Sequence, residues 1–153
     1  MLQTLEGYHA EIEAMIVEGE VLVAARDPAT ARRVKRRVAD SMLLVASYQL
    51  FVHRNVFAPL LGQGDPAVRS RVNEVKVECI ALTEDLRFNI KDFLADQTPL
   101  NWDVTAAKMA WFNGRLKKHI ADVRQLMSPD LSKAQHAALM ARRIGTVGPL
   151  VAA

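Results

Sequence analysis

The sequence predicts an all-α protein, an antiparallel up-down-up-down four-helix bundle with a short fifth C-terminal helix. Three observations carry this. Apolar residues recur at spacings of three and four over four long segments. Asp-Pro pairs and a Ser-x-x-Gln box mark where helices begin. No segment of useful length alternates apolar and polar residues as a strand would.

The first helix is expected over residues 2–25, with the stripe Leu5, His9, Ile12, Ile16 and Val23. "DPAT" then offers Asp27 as N-cap and Pro28 as first helical residue. The second helix is expected over 28–61, on Val38, Met42, Val45, Gln49, Val52 and Val56. "DPAV" repeats the signal with Asp65 and Pro66. The third helix runs over 66–95, on Val72, Val75, Cys79, Leu82, Leu86, Ile90 and Phe93. "TPLNWD" opens the fourth at Pro99 or Asp103, and its stripe is Met109, Phe112, Leu116, His119, Val123 and Leu126 as far as 127. "LSKAQ" pairs Ser132 with Gln135 as a capping box for a short helix over 133–144, which Gly145 would stop. The connections are short, so neighbouring helices are expected to run antiparallel. Residues 1–145 form one domain in this reading, and 146–153 a loose tail.

Composition narrows the class. The chain has 153 residues, half of them hydrophobic and 24% charged, as in an ordinary globular domain. Cys79 is the only cysteine, which excludes an intramolecular disulfide and a CxxC site. The start "MLQTLEGYHAEIEA" carries carboxylates and no basic region, so no signal peptide is expected. No apolar run approaches the roughly 20 residues that span a bilayer. A reducing, cytoplasmic setting is the expectation, with no membrane partner. The net charge is +3, and "RRVKRR" at 32–37 holds five of the twenty basic residues. A solvated helix face accounts for that run, because no aromatics or second basic element accompany it. A nucleic-acid partner is not expected.

Each helix interrupts its apolar stripe with another chemistry. The interruptions are His9, then Gln49 and His53 one turn apart, then Cys79, then His119. In an antiparallel bundle all five fall toward one end. Imidazole, thiolate and amide converging in a bundle core are what a metal site needs. The plainer alternative is a set of hydrogen-bonded core histidines beside a cysteine that packs as a small hydrophobe. Tyr8 and Tyr48 adjoin His9 and Gln49 and can donate hydrogen bonds there, although packing at helix interfaces is their plainer role.

This pattern resembles the hemerythrin-like family, the HHE cation-binding domains. In that family helix 1 begins with a His, helices 2 and 4 carry H-x-x-x-E before an apolar turn and Pro, and helix 3 carries a His. The resemblance spans residues 5–144. "VFAPLL" with Pro59 and "QLMSPDL" with Pro129 resemble the two apolar turns. Ten residues before Pro129 stands His119, which matches, and ten before Pro59 stands Gln49, where the family has His. His53 stands at the Glu position of helix 2, Val123 at that of helix 4, and Cys79 in "VECIALTEDL" at the His of helix 3. His9 in "EGYHAEIEAMI" matches the first ligand.

The resemblance implies a metal in the bundle core, iron or zinc, held by His9, His53, Cys79 and His119, with Tyr8 and Gln49 beside it. Neither Val123 nor His53 can bridge two ions as a carboxylate does, so the standard di-iron centre is not expected. Storage, or sensing of O2, NO or redox state, follows as the implied role. No general acid–base pair stands beside the site, so no enzyme activity is expected. The alternative is a metal-free member of the same fold that acts by binding a protein partner. A haem or small-ligand pocket with His9 or His119, and a phosphotransfer histidine in "KKHIAD", are weaker readings. His119 lies on the apolar stripe, which argues against the last.

Overall fold

The computed structural model describes residues 3–63 and 65–128. Among them there is no strand. Four long helices, α1 (Leu5–Ala25), α2 (Ala31–Val52), α4 (Pro66–Ala95) and α5 (Trp102–Leu126), are joined by short connections and one short helix, α3 (Ala58–Gly62). The expected helix over 133–144, its Ser132 cap, Pro129 and the tail lie outside the described residues.

The helix starts follow side-chain chemistry. Thr4 caps α1 by accepting the Gly7 N–H at 3.0 Å. Asp27 and Asp65 each accept an N–H two residues on, from Ala29 and Ala67, both at 2.9 Å. Each is followed by Pro, which fits a position whose N–H would have no partner. The fourth long helix begins at neither expected residue. Asn101 is its cap and accepts the Val104 N–H at 3.2 Å, which puts Asp103 in the first turn against the positive helix end. Asn101→Ala is expected to lower stability by about 1 kcal/mol, read as a shift in the urea midpoint.

The second expected helix is helical throughout but not uniformly α-wound. A 3₁₀ turn (Pro28–Thr30) precedes α2, and a π-helical turn (His53–Phe57) separates α2 from α3. In the π turn the Ala58 N–H reaches back five residues to the His53 carbonyl. Pro59 supplies the physical reason. It has no N–H, and its ring crowds the carbonyl four residues earlier, so a widened turn ahead of it relieves the clash. The inserted residue leaves both Val56 and Phe57 buried, although they are consecutive.

The long helices share one core. α1 packs on α2 and α5, and α4 packs on α2 and α5, which closes a ring. Ile12 and Ile16 of α1 meet Val45 and Val52 of α2, Val72 and Val75 of α4, and Leu116 and Ile120 of α5 in one cluster. Ion pairs tie the rims: Glu6 and Glu13 to Arg124, Arg26 to Asp103, Arg71 to Asp122 and Arg115 to Asp85. Most are solvent-exposed and screened by water, so each contributes little to stability. The basic run at 32–37 is a charged helix face: Arg33 and Arg37 reach Glu18, and Lys35 donates to the Asp96 carbonyl. No helix among the described residues is long and apolar enough to cross a membrane.

Candidate functional site

Three helices send a polar side chain into the core at one level. His9 comes from α1, Tyr48 from α2 and His119 from α5, with exposures of 0%, 1% and 5%. His9 Nε2 lies 3.1 Å from the Tyr48 hydroxyl, and the same hydroxyl lies 2.9 Å from His119 Nε2. Tyr48 is thus the middle member of a buried His–Tyr–His chain. Both imidazoles also meet the phenol ring at its edge or tilted, with centroids 5.5 Å away.

The hydroxyl carries one proton, so one imidazole must accept from it and the other must donate to it. Glu6 Oε1 stands 3.5 Å from His9 Nδ1, long for a hydrogen bond but close enough to favour a proton there. With Nδ1 protonated, His9 Nε2 accepts the Tyr48 O–H. His119 Nε2–H then donates to the Tyr48 oxygen, and His119 Nδ1 keeps a bare, buried lone pair without a partner.

Burial holds the whole chain uncharged near neutral pH. Desolvation pushes His119 down to about 4, and the neighbouring His9 adds to the effect. Desolvation also lowers His9, against the pull of Glu6. The Tyr48 hydroxyl is pushed well above the usual phenol range, first by burial and then by the neighbouring Cys79. The Cys79 thiol is pushed up to about 12 by burial, only partly offset by the Thr83 hydroxyl. A group this far up is a neutral thiol at physiological pH, not a thiolate.

The other expected site residues fall around this level. Cys79 is buried at the core, and Thr83 Oγ1 bonds its carbonyl at 2.8 Å. His53 begins the π turn, half-buried, with its ring edge on Phe57 at 5.0 Å between centroids. Its Nε2 is buried and unpartnered, and desolvation lowers its pKa. Gln49 is half-buried, one residue past the position that faces the core. Tyr8 is half-buried and packs on Phe51 and Tyr48, 5.1 and 5.9 Å between centroids.

No family model, curated protein or solved structure matches the chain. The chemistry of the site therefore rests on its own geometry. Among the described residues no three His, Cys, Asp or Glu side chains gather as a group that could hold a metal ion. The inner nitrogens of His9 and His119 are instead turned on the tyrosine.

The central place of Tyr48 had a signal in the sequence. Val45, Tyr48 and Val52 follow three-four spacing as well as Val45, Gln49 and Val52 do. The count of ten residues back from Pro59 assumed an uninterrupted α-helix. The π turn adds one residue, so the position facing the core moves back from Gln49 to Tyr48.

Proposed function

We propose that this chain is a hemerythrin-like, up-down-up-down four-helix bundle whose core level is metal-free, and that it works as a regulatory binding module rather than an enzyme. The antiparallel course is supported by the rims: the start of α1 pairs with the end of α5 through Glu6 and Arg124, and the reverse ends pair through Arg26 and Asp103. The observation that carries the metal-free reading is the Tyr48 hydroxyl between the two Nε2 atoms. With the inserted residue counted, Tyr48 takes the His position of the family's helix 2 and Val52 takes the Glu position. His119 and Val123 are their counterparts in helix 4, and both valines are fully buried. Two valines stand where two carboxylates would offset the charge of a metal pair, and a neutral hydrogen-bond chain engages the Nε2 atoms of His9 and His119.

A second reading keeps the metal. His53 Nε2 and His119 Nδ1 are buried nitrogens without hydrogen-bond partners, which is how lone pairs awaiting an ion would stand. Iron or zinc on His9, His53, Cys79 and His119 would require the Cys79 proton to leave and the tyrosine link to break. Storage or O2, NO or redox sensing would follow from such a site.

Metal analysis separates the two. Protein purified without a tag, incubated with excess Zn²⁺ or Fe²⁺ and desalted, is expected to retain well under one ion per chain. One ion per chain that disappears in His53→Ala, with helicity intact, would replace the first reading with the second. Unchanged occupancy in His53→Ala would remove that histidine from any metal site.

A further inference from the structure

We infer that the end of the helical assembly away from the histidines holds a second site, an apolar cavity that binds a single-chain anionic amphiphile with an alkyl tail of roughly 10–12 carbons. The cavity measures about 310 Å³ and lies between α1, the first half of α2, the last turns of α4 and the first half of α5. Ile16, Leu22, Phe93, Met109 and Phe112 are among its walls. Close-packed interiors leave few voids larger than a water. This one is about twice the roughly 150 Å³ that accommodates a benzene ring, which sets the length of the tail.

Gly19 explains why the space exists. The buried stripe of α1 is His9, Ile12, Ile16 and Val23, and the helical spacing between Ile16 and Val23 falls on Gly19. A large side chain is expected there, and glycine in a helix interior is less stable than alanine. A Cβ on Gly19 would meet only Met109, at 3.4 Å from Sδ and 3.5 Å from Cε. The position therefore faces the cavity, and the missing side chain is what opens it. Two flexible methionines, Met15 and Met109, line the same wall, where they can adapt to an irregular guest.

The charges at the rim select the head group. Lys35, Arg37 and Lys108 line the cavity, against Asp92 and Asp96. Arg37 is paired with Glu18 at 2.7 Å. Lys35 Nζ donates to the Asp96 backbone carbonyl, not to a carboxylate. Lys108 is exposed at the mouth, and no ion pair or hydrogen bond is assigned to it among the described residues. Lys35 also acts on the Asp96 carboxylate, so the Lys108 ammonium is the unspent charge beside the apolar hole, and it suits a carboxylate or phosphate on a hydrocarbon tail. This inference rests on the cavity alone and stands or falls apart from the reading of the histidine level.

The test uses the full chain and sodium dodecanoate below its micellar concentration, followed by calorimetric titration. Saturable one-to-one binding in the micromolar range is expected. Octanoate should bind at least tenfold more weakly, because four methylenes fewer are buried. Lys108→Gln should weaken dodecanoate severalfold and leave dodecanol unchanged. Gly19→Leu should fill the cavity, weaken dodecanoate at least tenfold and raise the thermal midpoint, so that lost binding cannot be mistaken for lost folding. Vesicles of anionic phospholipid should not compete, since a half-open cavity among four helices receives a free single chain. The inference is overturned if dodecanoate does not bind, if Gly19→Leu binds it as wild type does, or if only vesicles are bound.

Discussion

Tyr48→Phe is expected to lower the unfolding free energy by about 3 kcal/mol, although it removes a single oxygen. The substitution keeps the ring and its contacts. It removes an oxygen that serves two buried nitrogens, His9 Nε2 at 3.1 Å and His119 Nε2 at 2.9 Å. A buried polar group left without a partner costs about 1–3 kcal/mol, and here there are two. For a chain of this size the thermal midpoint should fall by roughly 6–12 °C. Gln49→Ala, one residue away and half-buried, should change stability by less than about 0.5 kcal/mol. Differential scanning calorimetry of the two variants checks the register directly. A larger loss for Gln49→Ala than for Tyr48→Phe would place Gln49, not Tyr48, at the centre of the core level. A loss under about 0.5 kcal/mol for Tyr48→Phe would mean that the two imidazoles find other partners.

The second large effect is a loss of stability as the pH falls from 6.5 to 4. His119 titrates at about 4 in the folded protein, because burial disfavours its charged form. In the unfolded chain it titrates near 6.5. Between those values the unfolded state binds a proton that the folded state refuses. Stability is therefore full above 6.5, declines through the interval, and stops declining for this group below 4. The total amounts to about 3 kcal/mol. His9 and His53 are lowered for the same reason and add in the same direction. Carboxylates titrate lower, so the upper part of the interval isolates the imidazoles. His119→Gln keeps an N–H that can reach Tyr48 and cannot titrate. It should flatten the pH dependence of the urea midpoint between 6.5 and 5, whatever its stability at pH 7. A slope equal to that of the wild type would assign the effect elsewhere.

The limits of helix-period reasoning show in α2. A stripe through Val45 and Val52 admits either residue between them, and the two choices differ by about 100° around the axis. Only the packing of α1 and α4 against α2 selects Tyr48. The π turn compounds the error, since one extra residue moves every count made from Pro59. The same kind of blindness hides the cavity. Gly19 reads as a weak point in a helix until Met109 of another helix stands opposite it.

What the chain determines locally is where its helices start and which chemistries enter its interior. Asp27 and Asp65 cap their turns with their own side chains, and Asn101 does the same, because these bonds span two or three residues and need no distant partner. The burial of His9, Cys79 and His119 also follows from local pattern, since each sits on a stripe of apolar residues at helical spacing. Which of those groups meet is a different matter. His9 and Tyr48 are 39 residues apart, and Tyr48 and His119 are 71 apart. Their hydrogen bonds depend on how far each helix is rotated and advanced against its neighbours. That is settled by the packing of whole faces, to which a single polar residue contributes little, so only the tertiary structure could decide it.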